Sequence, residues 1–145
     1  MDGRIAKLNL FTKDYRTQEK VSIDFNGEVV LQDEDFKQYF YKFYQIEDGQ
    51  GMSVDINFKE DEIKIEERND VVFMKLSFKK NTLMKCTYEF LDNGLKLEMK
   101  TKLFESTITP ELVEFVYDLY DSKDVEHPLT RNVLTIRNEA KKNLC

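Results

Sequence analysis

Residues equipped for chemistry are few in this chain, and they do not gather into a familiar pattern. The single histidine, His127, lies in Asp124-Val125-Glu126-His127-Pro128. A general base needs an orienting partner and a sheltered setting, so a lone histidine beside proline in a polar stretch is expected to be an exposed loop residue. Two cysteines are present, Cys86 in mid-chain and Cys145 at the last position. One bridge is arithmetically available. But Cys145 ends the polar run Lys141-Lys142-Asn143-Leu144, and cytosolic bridges are rare, so both read as free thiols. Nor is Cys145 a prenylation signal, which needs the cysteine four from the end. Cys86 alternates with Met84 and Tyr88, as a small packed core residue does.

Ligand-binding signatures are equally sparse. No HExxH, CxxC or EF-hand loop occurs, and no glycine-rich phosphate loop or GxSxG elbow. Those spacings are what zinc, calcium, phosphate and serine chemistry require. The acidic clusters Asp33-Glu34-Asp35 and Glu60-Asp61-Glu62 read as solvated turns. A hydrolytic carboxylate pair could hide among 28 acidic residues, but no spacing singles one out. The expectation is therefore no metal and no cofactor, and no spacing assigns the chain a reaction.

The elements that would position any site are clearer. Apolar residues recur at period two, the mark of half-buried strands. Ala6, Leu8 and Leu10 do so, as do Val21, Ile23 and Phe25, then Met52, Val54, Ile56 and Phe58. Ile63 and Ile65 follow, then Val72, Met74, Leu76 and Phe78, then Leu95, Leu97, Met99 and Thr101, and finally Leu134 and Ile136. Between them lie turn signals. Asn26-Gly27 is read as a type I′ hairpin, because both central residues need positive φ. Asp92-Asn93-Gly94 is read the same way, Asp48-Gly49-Gln50-Gly51 as a flexible loop, and Asn69-Asp70 and Lys80-Asn81 as tight polar links.

Two segments carry both periods. Phe36, Phe40 and Phe43 are spaced for a helix that Asp33 could cap, yet Tyr39 to Tyr44 is made of strand formers. Thr109-Pro110-Glu111 is a good helix start, yet Val113, Phe115, Tyr117 and Leu119 alternate. Both are read as strand. The fold expected is all-β: a single antiparallel up-and-down barrel of about 8–10 strands, with residues 138–145 as a polar tail. Closure removes the edges that invite aggregation.

Length and charge bound the remainder. The chain has 145 residues, 41% hydrophobic and 34% charged, with five Gly, two Pro and a net charge of −6. This suits one soluble domain. A nucleic-acid partner is not expected of so acidic a chain, although aromatic and basic residues interleave from Tyr39 to Tyr44. No apolar run approaches a membrane span. Arg4 and Lys7 break up the N-terminal stretch, so no signal peptide is visible and a cytoplasmic location is expected. In the strand reading, Phe40, Tyr44 and Ile46 share one face and Tyr39, Tyr41 and Phe43 the other. A strand apolar on both faces needs a cover, so a homodimer through it is a second expectation.

The stretch Tyr39–Leu103 resembles a known family. The matching features are Tyr39 to Tyr44 with Glu47 and Gly51, Ile63-Lys64-Ile65 with Arg68, then Met74, Leu76 and Phe78, then Tyr88 with Gly94, and the strand Leu95 to Lys102. These resemble the YwiB-like family of small uncharacterised bacterial proteins, which implies a lipocalin-like (calycin) β-barrel and lends no reaction. Asp70 stands where that pattern has glycine, and Leu91-Asp92-Asn93-Gly94 replaces a Thr-Pro-Tyr-Gly-like turn.

The function expected is binding of a small apolar or amphipathic ligand at one barrel mouth, with a filled-core protein-interaction module as the alternative. Ligand pockets combine an apolar lining with a few orienting polar groups. Tyr41, Met74, Tyr88, Thr101 and Tyr117 are the candidate lining. Arg68 is the candidate partner of a ligand carboxylate. Parity sets Arg68 with Lys64 and Glu66, opposite Ile63 and Ile65, so it enters only if a bulge turns it. Otherwise it is a surface arginine beside Glu66 and Glu67.

Overall fold

A computed structural model of the chain describes residues 3–33, 38–45, 51–59 and 62–140. Phe36 with Glu34 and Asp35, Ile46 to Gln50, Glu60-Asp61 and the tail with Cys145 lie outside the described residues. Ten strands run in chain order: β1 (Ile5–Asp14), β2 (Lys20–Asp33), β3 (Gln38–Gln45), β4 (Gly51–Lys59), β5 (Glu62–Arg68), β6 (Val72–Lys79), β7 (Leu83–Phe90), β8 (Lys96–Ile108), β9 (Leu112–Asp121) and β10 (Thr130–Asn138). Each pairs antiparallel with its chain neighbour, and β10 closes on β1 from Ala6↔Asn138 to Asp14↔Thr130. The sheet is thus an up-and-down barrel with no open side edge between first and last strand.

Alternation decides the wall. Tyr39, Tyr41 and Phe43 are buried, while Lys42 and Tyr44 are exposed. The β-formers of this segment win over the helical spacing, and Asp33 ends β2 opposite Gln38 rather than capping a helix. Val113, Phe115 and Tyr117 likewise point inward from β9. Thr109 does cap, but it caps a turn: the Leu112 amide donates to its Oγ1 at 2.9 Å. The core comprises these residues with Leu8, Val29, Val54, Ile56, Ile65, Leu76, Phe78, Leu103, Leu134 and Ile136.

Asn26-Gly27 is not the hairpin its sequence suggests. β2 runs straight through it, and the first turn is Tyr15–Glu19, held by Asp14 Oδ1 accepting from the amides of Arg16 and Thr17 at 2.8 and 3.0 Å. Gly27 is needed for closeness instead. It pairs with Phe43, and a Cβ there would lie 2.0 Å from the Lys42 carbonyl oxygen and 2.7 Å from the Phe43 ring. Asp92-Asn93-Gly94 does turn the chain, but not as type I′: Gly94 has φ +71° while Asn93 keeps a negative φ, and Asn93 Oδ1 accepts from the Leu95 amide at 2.9 Å. Asn69 and Asn81 also sit in tight turns, Asn69 Oδ1 accepting from both Val71 and Val72.

Three irregularities shape the barrel. A bulge in β2 between Val29 and Leu31 reverses the alternation, so Leu31 pairs outside and Gln32 turns in. A second bulge in β8 lies between Leu103 and Glu105. Between β6 and β7 the ladder runs only from Val72↔Phe90 to Lys75↔Thr87. Beyond it the regular pairing lapses until Lys79 meets Thr82 at the turn, and β8 comes up beside β6: Thr101 Oγ1 donates to the Ser77 carbonyl at 2.7 Å and the Asn81 amide to the Leu103 carbonyl at 2.9 Å.

Candidate functional site

The two ends of the barrel are built differently. We term upper the end with the turns β1–β2, β5–β6, β7–β8 and β9–β10, and lower the end with the turns β6–β7 and β8–β9. At the lower end a polar latch spans the opening. Arg4 donates to Gln32 Oε1 and, at 3.4 Å, to the Glu139 carbonyl. Gln32 and Asn138 both donate to the Pro110 carbonyl, at 3.0 and 2.9 Å, and Asn138 Nδ2 also donates to the Tyr41 hydroxyl at 3.2 Å. Asn138, read from sequence as the start of a tail, is the buried last residue of β10. Aromatic rings fill the space behind: Tyr39 meets Phe58 edge-on at 5.2 Å, and Tyr41 stacks on Phe43 at 5.5 Å.

Among the described residues, three charged side chains are buried: Arg4, Asp118 and Glu67. Arg4 belongs to the latch. Asp118 faces the outer wall, where Arg131 Nε donates to it at 2.8 Å and the Tyr15 hydroxyl at 3.2 Å. Arg131 also lies 4.6 Å over the Phe104 ring. Glu67 differs from both. It shares the inward parity of Ile63 and Ile65, is 5% exposed, and accepts no hydrogen bond from any described residue. With no compensating cation, burial alone pushes its carboxyl up to about 7.

Glu67 lies in a row across the sheet, Val54↔Glu67↔Met74↔Tyr88↔Leu97, near the upper ends of these strands. Burial raises the Tyr88 phenol above its ordinary range, and the charges of Cys86 and Glu67 raise it further. Burial does the same to Tyr117, with Glu67, Tyr88 and Cys86 adding to it. These groups are therefore within electrostatic reach of one another. Neither phenol has a hydrogen-bond partner among the described residues. Asn138 Oδ1 is the one fully sealed side-chain polar atom there without a partner. The Glu67 carboxylate and both phenol oxygens must then touch space that water can enter. Cys86 packs beside them, its thiol pushed up to about 12 by burial, so it is a poor nucleophile.

Of the residues chosen from sequence, Met74, Tyr88 and Tyr117 are brought into this region. Thr101 is inward too, but its hydroxyl is committed to Ser77. Tyr41 belongs to the lower end, fully buried and held by Asn138. Arg68 points outward, its guanidinium 4.7 Å over the Phe73 ring. It lines an open 510 Å³ cavity on the upper rim together with Lys42, Phe43, Met52, Asn69 and Leu91. Glu67 itself was passed over as a surface neighbour of Arg68. Its signal was available, since it continues the Ile63, Ile65 alternation. His127 is 80% exposed and 3.2 Å from Asp124, whose carboxyl it holds below the usual range. No group of three or more metal-ligating side chains occurs among the described residues, and no helix there is long and apolar enough to cross a membrane.

Comparison with known proteins adds a family and a fold. No curated protein matches the chain. The crystal structure of the YwiB protein from Bacillus subtilis is similar, with a TM-score of 0.63 and 17% identity over 95% of this chain and 93% of that one. At that identity the likeness speaks for the barrel alone. A family model described as "Domain of unknown function (DUF1934)" matches residues 8–136, nearly the whole barrel. The chain therefore belongs to the DUF1934 family, and its barrel is YwiB-like in fold.

Proposed function

We propose that this protein holds a small apolar or amphipathic molecule inside the upper half of its barrel, as lipocalin-like barrels use their interiors. The observation that carries the reading is Glu67, a buried inward carboxyl with no partner among the described residues, on one row of the wall with Met74 and Tyr88. Burial without a protein partner disfavours the charged form of this carboxyl, which is raised to about 7. A barrel selected for stability alone would place an aliphatic residue there, as it does at Ile63 and Ile65. A ligand that meets these groups removes the penalty. Met74, Met99 and Leu119 supply an apolar surround that adapts to its shape. The expected setting is the cytoplasm.

The test is thermal unfolding with three eight-carbon amphiphiles, octanol, octanoate and octylamine, and with ATP as a polar control. A bound ligand at 100 times its Kd adds about 2.7 kcal/mol, which raises the midpoint by several degrees in a domain this size. We expect at least one amphiphile to do this and ATP to do nothing. No shift with any of the three sinks the reading. A second reading, pairing of two copies through the outer face of β3, is favoured by Tyr44, 53% exposed beside half-buried Phe40. A strictly monomeric mass by light scattering at high concentration removes it.

A further inference from the structure

We infer that the ligand's polar head is a hydrogen-bond-donating amine, seated as an ammonium against Glu67 with the Tyr88 and Tyr117 phenol oxygens beside it. This rests on the binding reading above and names its chemical class. The argument is one of charge. The upper interior holds one buried ionisable carboxyl and no buried cation: the other two buried charges among the described residues, Arg4 and Asp118, are spent on the lower latch and the outer wall. A ligand carboxylate would set a second negative charge against Glu67 in a medium that screens it poorly. Arg68, the residue that could have received such a carboxylate, is turned outward onto Phe73. A neutral hydroxyl head would satisfy one lone pair and leave Glu67 uncompensated.

An ammonium does more. It supplies three donors, and the groups facing it supply acceptors: two carboxylate oxygens on β5, the Tyr88 hydroxyl on β7 and the Tyr117 hydroxyl on β9. Charge-assisted hydrogen bonds of this kind are about twice as strong as neutral ones. The aromatic faces add attraction for a cation at short range. The neighbours on the same row, Val54 and Met74, are apolar and offer the pair no competing hydrogen bond. The remaining chain of the ligand would then run among Met74, Met99 and Leu119.

The experiment compares octylamine, octanol and octanoate on the wild-type protein, on Glu67→Gln and on Tyr88→Phe, by calorimetric titration at pH 7.5. We expect octylamine to bind wild type at least about tenfold more tightly than either rival. Glu67→Gln should lose that preference by about tenfold while still binding octanol. Tyr88→Phe, which keeps the carboxyl, should keep the order of preference with a smaller loss. If octanoate or octanol binds wild type better than octylamine, the amine assignment falls and the interior-binding reading stands. If octylamine binds equally well to Glu67→Gln, the assignment falls as well. If none of the three binds any of the variants, both fall together.

Discussion

The lower end of the barrel is closed by side chains that answer one another, and the upper end is lined by side chains that do not. Below, Arg4, Gln32, Pro110, Asn138 and Tyr41 form one connected set across five separate chain segments. Above, Glu67, Tyr88 and Tyr117 stand within electrostatic reach of one another without a single hydrogen bond among them. Both ends are polar, so polarity does not distinguish them. Satisfaction does. In the latch every side chain has a partner, and only Asn138 Oδ1 is left without one; above, Glu67, Tyr88 and Tyr117 have no protein partner among the described residues, and what pairs them must come from outside the chain.

That contrast can be broken or sharpened by substitution. The largest effect is expected at Gly27, whose closeness to β3 lets Phe43 lie flat against the wall. Gly27→Ala puts a methyl group 2.0 Å from a backbone oxygen that cannot move alone. It should cost more than about 3 kcal/mol, or prevent folding, as read by urea denaturation. A cost under about 1 kcal/mol would mean that the strands separate easily there and that the packed half is looser than described.

The next effect is opposite in sign. The Glu67 carboxyl is raised from an ordinary 4.5 to about 7. Below pH 4.5 it is protonated whether folded or unfolded, so it adds nothing to the pH dependence. As pH rises from 4.5 through 7, the unfolded chain releases the proton while the folded chain holds it. Stability therefore falls over that window and stays lower above it. Glu67→Gln should be more stable than wild type by on the order of 3 kcal/mol at pH 8. The gain should vanish near pH 4. Denaturant melts at the two pH values read it directly, and a gain that does not depend on pH would contradict the picture of an uncompensated carboxyl.

The smallest effect is expected in the latch. Asn138→Ala leaves the Pro110 carbonyl with one donor fewer and the Tyr41 hydroxyl without this one, at a cost of about 1–2 kcal/mol. The cost is held down because Asn138 Oδ1 is itself sealed and unpaired, and the substitution removes it. Octylamine affinity should be unchanged, since the latch lies at the other end. A loss of affinity measured by titration would show that the two ends are coupled.

Much of this barrel was legible in the alternation. Met52 to Phe58 and Val72 to Phe78 read as strands because side chains two apart share a face, and closure is expected because it removes exposed edges. The errors have separate physical causes. Asn26-Gly27 carries a strong local turn preference, but the glycine was required for a distance to Phe43, which no local rule contains. Leu31 and Gln32 exchanged faces at a bulge, which breaks parity without changing composition. The latch joins residues 28 to 135 positions apart, beyond any spacing argument. Glu67 is the instructive case. It continues the alternation of Ile63 and Ile65, which its charge masks, and a charged residue kept inside against its preference is where function is most worth seeking.

The short ladder between β6 and β7 changes which strand borders which. Everywhere else along the ring, neighbouring strands are stitched for most of their length. Here the pairing stops after Lys75 and Thr87, and β8 takes over beside β6: the Thr101 hydroxyl donates to the Ser77 carbonyl, and the Asn81 amide donates to the Leu103 carbonyl. Met74 and Tyr88 lie above that change, within the regular ladder. The lower part of the wall is thus cross-braced by three strands where two would ordinarily meet, and the residues above it hang from a fixed base.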